Sequence, residues 1–183
     1  RIYIIACGTS WHAGLIGKAM IEKLVRIPVE VDYASEFRYR DPIIKQGDVV
    51  IAVSQSGETA DTAAALDLCK KNNVKTCSIV NVIESTIARN SDWVLPIHAG
   101  TEIGVASTKA FLGQLTVLYI LCLKLAIVRK DIDEKTYEKN INNLKKLPEA
   151  IKECINIESN VQLMAKEFLS AKGSMFLGRG SSF

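Results

Sequence analysis

Apolar and polar positions follow two periods along this chain. Short β-branched runs bounded by Gly, Pro, Asn and Asp recur through the first hundred residues. They are "IYIIAC" (Ile2 to Cys7), "VEVDYA" (Val29 to Ala34), "DVVIAVS" (Asp48 to Ser54), "VKTCSIV" (Val74 to Val80) and "DWVLPI" (Asp92 to Ile97). Such runs are the expected strand signal. Helical spacing fills the intervals, from about Ser10 to Val25, over a short polar turn after Ala34, and from about Thr59 to Asn72. Strands alternating with helices imply right-handed crossovers and a parallel sheet covered on both faces. The pattern predicts α/β class: a three-layer αβα sandwich of flavodoxin-like or Rossmann-like type, with a mainly parallel five-stranded sheet.

The second half reads differently. From Ala106 to about Ala171 only helical periodicity is found, with Leu112, Leu115, Leu118 and Tyr119 in one stretch and Ile141, Leu144 and Leu147 in another. These C-terminal helices read as packing or connecting elements, and Pro148 fits near a helix start, where its missing N–H costs little. A strand is expected again in "SMFLGRGSSF". Setting "IACGTSW" (Ile5 to Trp11) beside "LGRGSSF" (Leu177 to Phe183) matches a strand end, a glycine, hydroxyl residues and an aromatic. That echo suggests an internal repeat whose second copy is cut off. The expected organisation is a lobe over 1–130, a helical connector over 131–172, and the start of a second lobe over 173–183. The chain opens at Arg1, inside a strand and without Met, which suggests a piece of a longer protein.

Composition narrows the class. Hydrophobic residues make up 48% of the chain, enough for a sizeable core. The longest apolar stretch, Leu112 to Val128, is interrupted by Gln114 and Lys124 and is expected to be a core-facing helix rather than a membrane span. A net charge of +3, with scattered basic residues, argues against nucleic acid. The five cysteines (Cys7, Cys69, Cys77, Cys122 and Cys154) form no C-x-x-C pair and are odd in number, which fits reduced thiols in a cytosolic protein.

Candidate chemistry sits at three strand-to-helix junctions: "CGTSW" after the first strand, "SQSGET" after the third, and "GTEIGVAST" (Gly100 to Thr108) after the fifth. Each carries a glycine and hydroxyls at a predicted helix N-terminus. In open α/β sheets ligands bind beyond the carboxyl ends of the strands, and unpaired N–H groups at a helix start attract anions. Ser54, Ser56 and Thr59 are spaced to surround a phosphate without a cationic side chain. Ser56 and Thr59 could alternatively serve only as caps; three junctions of one composition favour the anion.

Competing motifs fail. No lysine follows Gly57 as a Walker A loop requires, G-x-G-x-x-G is absent after the first strand, and a G-x-S-x-G elbow fits neither Ser54 nor Ser56. His12 and His98 are too few for a zinc site and read as structural. Cys7 reads as an apolar filler rather than a nucleophile. Glu36 and Glu102 are either pocket-edge carboxylates or salt-bridge partners for Arg38, Arg40 or Lys109.

"SQSGETADT", "ACGTSWHAG", "ASEFRYR" and "GTEIGVASTKAF" together resemble the glucosamine-6-phosphate synthase (glutamine:fructose-6-phosphate amidotransferase) family. The match is to the first of the two sugar-isomerase (SIS) lobes of its isomerase half. It runs from Arg1 through about Ala126 and resumes at "FLGRG". The resemblance implies a cytoplasmic, dimeric transferase of hexosamine biosynthesis. Its glutaminase domain releases ammonia, and its isomerase half makes glucosamine 6-phosphate from fructose 6-phosphate without metal or organic cofactor. By position it implies that Ser54, Gln55, Ser56 and Thr59 hold the sugar phosphate, that Thr9 and Ser10 bind the sugar, and that the backbone at Val105 with Ser107 closes that side. It also implies that the family's catalytic glutamate, lysine and histidine lie beyond Phe183 and its glutaminase cysteine before Arg1, so the chain alone would bind substrate without turning it over. A non-enzymatic sugar-phosphate sensor module is the alternative.

Overall fold

The computed structural model describes residues 1–104 and 106–178. The described chain divides into two compact units, Arg1–Ile132 and Asp133 onward. In the first, five strands alternate with helices: β1 (Ile2–Ala6), α1 (Thr9–Leu24), β2 (Val29–Tyr33), α2 (Ala34–Tyr39), β3 (Val49–Ser54), α3 (Ala60–Lys71), β4 (Lys75–Val80), α4 (Thr86–Arg89), β5 (Trp93–Pro96) and α5 (Lys109–Val128). The sheet order is β2-β1-β3-β4-β5 and every pairing is parallel. This is the flavodoxin-like arrangement. Every expected strand of this unit is present to within two residues at its ends; the short helix α4 was not foreseen.

The strands read as continuous apolar runs because both faces are buried. Side chains alternate across a strand. Ile2, Ile4 and Ala6 of β1 therefore face one cluster with Ile51, Val53, Ile79 and the buried face of α5, while Tyr3 and Ile5 join Val50, Ala52, Phe37 and Leu66 on the other face. Helices α1 and α5 cover the first face and run in the same direction, since Ser10 meets Gln114, Gly17 meets Leu118 and Met20 meets Cys122. A Cβ at Gly17 would already touch Leu118, so the glycine sets how closely the helices approach.

By length and composition α5 does suffice to cross a membrane, contrary to the sequence expectation: Gln114 and Lys124 are too little polarity to offset its apolar residues. Its inward residues Ala110, Gln114, Leu118, Cys122, Leu123 and Ala126 are buried against the first face. Leu112, Ile120 and Val128 stay exposed. All five cysteines are free; Cys69, Cys77 and Cys122 are buried, which pushes their thiols up to about 12, 11 and 11.

The second unit contains α6 (Glu134–Lys145), α7 (Leu147–Ile155) and α8 (Glu158–Glu167). Asp133 caps α6 by accepting from Thr136 N at 2.8 Å, and Pro148 lies in the first turn of α7. The strand expected from Ser174 is not formed over residues 174–178. A strand needs a neighbour to take its N–H and C=O groups, and none of the described strands pairs with this stretch. Residues 179–183, with the rest of the echo of the first strand, lie outside the described residues.

At the amino edge of the sheet, Asp92 ties the approach of β5 to β4. It accepts from Lys75 Nζ at 2.6 Å, Thr76 N at 2.9 Å and Thr76 Oγ1 at 2.8 Å. The lysine foremost, then the two Thr76 donors, hold its carboxyl at about 2. A carboxyl depressed in the folded state stabilises above its unfolded pKa and loses that contribution as pH falls through the folded one. Stability should therefore drop between about pH 4 and pH 2, measured by denaturant titration. Asp92→Ala should lose about 1 kcal/mol at neutral pH, kept modest by the exposed Lys75, and should flatten that part of the acid limb.

Candidate functional site

Because every strand points the same way, the three hydroxyl-rich junctions share the carboxyl edge of the sheet. β1 and β3 are neighbours, with Ala6 opposite Val53. The chain leaves β1 toward β2 on one side and β3 toward β4 on the other. That reversal opens a crevice between the two loops, the place where open α/β sheets bind ligands. Cys7 Sγ lies 4.0 Å from the buried Thr62 Oγ1 on α3.

The loop after β3 is held by hydrogen bonds along its length. Ser54, the buried last residue of the strand, accepts from Gly57 N at 3.0 Å, and its Oγ lies 3.2 Å from Thr59 Oγ1. Ser56 Oγ accepts from Glu58 N at 3.2 Å. Gly57 has φ of 68°, and a side chain there would run into Ser85 Oγ and Cβ. The segment after β4 staples the loop from behind. Asn81 N donates to Gln55 O at 3.2 Å, Ile87 N to Gly57 O at 2.9 Å, and Thr86 N to Glu58 Oε1 at 2.8 Å. The Thr86 amide holds the Glu58 carboxyl below its ordinary range.

Thr59 occupies the N-cap position of α3, yet its hydroxyl makes no capping bond, and Ser56 stays within the loop. The twelve-residue α3 therefore begins without a side-chain cap, beside the paired hydroxyls of Ser54 and Thr59. Asp61 in its first turn is paired with Arg38 at 3.3 Å. α1 is similar: Gly8 precedes it with φ of 57°, no side chain caps it, and its first turn holds no acid. Thr9 opens α1 half-buried, and Ser10 behind it is buried, with Oγ accepting from Gln114 Nε2 at 2.9 Å.

The third junction is different in kind. Glu102 accepts from Thr108 N at 3.0 Å, Ala110 N at 3.3 Å, Ser107 Oγ at 2.8 Å and Thr108 Oγ1 at 3.3 Å. The Thr108 amide foremost, with Ser107 next among the donors, holds its carboxyl at about 2. The N-terminus of α5 thus carries its own anion, and the likeness of composition among the three junctions overstated their likeness in chemistry. Ser107 spends its proton on Glu102, so it can offer a ligand an acceptor, suited to a sugar hydroxyl rather than a phosphate oxygen. Val105 lies outside the described residues. Of the two readings of Glu102 from sequence, the cleft-edge carboxylate fits and the salt-bridge partner does not: Lys109 Nζ goes to Thr101 O, and Arg38 and Arg40 pair with Asp61 and Asp32.

The segment after β5 returns across the sheet edge to bring α5 against α1. Asn81, at the end of β4, holds it: Oδ1 accepts from Ala99 N at 2.8 Å, and Nδ2 donates to Gly100 O at 2.6 Å. Gln55, Asn81, His98, Thr101 and Glu102 line a polar cleft of about 570 Å³. A second cavity of about 550 Å³, between α5 and the sheet, is lined by Ile2, Val49, Ile51, Leu95 and Leu121 and offers little polar chemistry to orient a ligand. Sequence reasoning missed Asn81, Ser85 and Glu58. Only the position of Asn81 at a strand's carboxyl end marked it.

The profile of the SIS domain matches residues 1–124. The chain belongs to the SIS domain family. Along all 183 residues it is 52% identical to the glutamine–fructose-6-phosphate aminotransferase (isomerizing) of Bacteroides thetaiotaomicron and 48% identical to that of Chlorobaculum tepidum, covering 30% of each. The C-terminal domain of glucosamine-fructose-6-phosphate aminotransferase from Francisella tularensis superimposes with a TM-score of 0.95 at 39% identity, over 98% of this chain and 51% of that one. The SIS chain thus spans just under a third of the length of the curated relatives it matches, and those relatives bear the name to which "EIGVASTKAF" and "ASEFRYR" pointed.

Within this SIS lobe, Asn81→Ala should free the segment after β5. Losing both of its side-chain bonds should cost about 1–2 kcal/mol, and hydrogen exchange at the Ala99 amide should speed up while that of β1 keeps pace with global stability. Unchanged protection at Ala99 would show that the clamp is idle.

Proposed function

We propose that the crevice between the loops after β1 and β3 binds the phosphate ester of a phosphosugar, within the isomerase half of a glutamine–fructose-6-phosphate aminotransferase. One observation carries this: Ser54 and Thr59 bring their hydroxyls together at the start of α3, with Ser56 between them in the loop, and the cap position makes no side-chain bond to the helix. Helix N–H groups and hydroxyls together suit a phosphate dianion. The identity to the aminotransferases supports the choice of enzyme.

In this reading Ser54, Gln55, Ser56 and Thr59 hold the phosphate, while Thr9, Ser10, Ser107 and the backbone of Val105 face the sugar. The intact protein makes glucosamine 6-phosphate from fructose 6-phosphate and glutamine-derived ammonia in the cytoplasm, without metal or organic cofactor. A glutaminase domain and a second SIS lobe complete it, residues 173–183 begin that second lobe, and the acid–base chemistry belongs there. The lobe described here binds and orients. Neutral donors suit that task, since they orient a phosphate ester and still let product leave.

Calorimetric titration with glucosamine 6-phosphate, against inorganic phosphate and glucosamine, tests the site. Ser56→Ala and Thr59→Val should each weaken binding by about 1–3 kcal/mol, as expected when a charged partner loses a donor. Wild-type affinity in both variants would refute the phosphate assignment. The exposed Leu112, Ile120 and Val128 of α5 further support a homodimer, to be read as a doubled mass by light scattering; a monomer at high concentration would remove that part of the proposal.

A further inference from the structure

Behind the crevice α1 and α5 pack together through apolar contacts, with one buried pair of polar side chains between them. Gln114 on α5 is fully buried, and its Nε2 donates to Ser10 Oγ at 2.9 Å. One turn further on, Leu118 lies against Gly17. The amide is only half used, for Gln114 Oε1 is buried without a hydrogen-bond partner. Leaving a buried carbonyl unpaired is destabilising, and methionine would fill the same space without that cost. The stability of the lobe therefore does not explain a glutamine here.

Its effect on Ser10 does. A hydroxyl has one proton and two acceptor positions. With Nε2 donating to it, Ser10 Oγ is an acceptor on its buried side, and its proton is left for another group. Ser10 stands in the first turn of α1, at the sheet edge where the phosphosugar is proposed to bind. We propose that Gln114 is a positioning residue that sets the polarity of Ser10, making its hydroxyl a donor to a sugar oxygen of the bound phosphosugar. This deepens the phosphosugar reading and rests on it.

A double-mutant cycle in the full-length protein tests it, with glucosamine 6-phosphate and inorganic phosphate as titrants and thermal unfolding run in parallel. Gln114→Met should unfold at the wild-type temperature or above. It should bind glucosamine 6-phosphate about tenfold more weakly, the scale of one hydrogen bond, with inorganic phosphate unaffected. In a Ser10→Ala background the same substitution should cost nothing more, because the two residues act as one. Equal losses in both backgrounds, or no loss, would overturn the proposal. So would a lowered unfolding temperature with affinity intact, which marks a purely structural glutamine. If Gln114→Met does not fold, Gln114→Asn, which draws the amide back from Ser10, is read by the same criteria. Failure of the underlying reading looks different: the wild-type protein would bind glucosamine 6-phosphate no better than glucosamine. An unaffected Ser10→Ala would sink only the role given to Ser10 and Gln114.

Discussion

A parallel sheet must be covered on both faces, and the site of this lobe follows from that requirement. Each strand has to be followed by a crossover that packs back onto the sheet, so all strands point one way and all strand-to-helix loops collect at one edge. With β1 and β3 side by side at the centre, their helices depart to opposite faces: α1 joins α5 on one, and α3 joins α2 and α4 on the other. The crevice is what that divergence leaves. The residues lining it need no separate folding device, because the pairing of Ala6 with Val53 already brings the two loops together.

Helix termini then divide the labour. Every helix start leaves N–H groups to be satisfied, and this lobe does so in three ways. α5 is served by Glu102 from within the chain, so its end is electrostatically closed. α4 is served by Ser85, which accepts from Ala88 N, and by Glu58 through Thr86 N. At α1, α2 and α3 the cap residues contribute no side-chain bond. For the phosphosugar proposed above, α1 and α3 offer uncapped ends at the switch point, where α4 and α5 are already served.

The strands were legible because burial on both faces leaves unbroken β-branched runs, and the helices of the first unit other than α4 because turn residues punctuate them. The hydroxyls of "SQSGET" were legible for a similar local reason: strand end, glycine and helix start are consecutive. What escaped depends on distant partners. Asn81 matters through Ala99 and Gly100, and Gln114 through a residue 104 positions away. Glu102 was visible as a carboxylate but not as the cap of a helix starting seven residues later, since only the folded loop brings it over Thr108 and Ala110. In the sequence Gln114 shows only as an interruption of an apolar stretch. The expected strand near Ser174 shows the opposite limit: local pattern alone cannot form a strand without a neighbour to bond.

Rigidity and weak charge belong together in such a site. A cationic side chain can reach for a phosphate, so its loop may stay loose, whereas backbone N–H groups and serine hydroxyls act only at the position they are given. Their contribution depends on being held in place before the ligand arrives. That explains why so much of the hydrogen bonding near the crevice points away from it: Gly57 is locked against Ser85, Glu58 reaches to Thr86, and Asn81 grips Gln55 on one side and Gly100 on the other. In the proposed reading these contacts fix donors for a ligand they never touch. The segment after β4 is therefore as much a part of the site as "SQSGET" itself, since without its support the hydroxyls would have to be ordered at the ligand's expense.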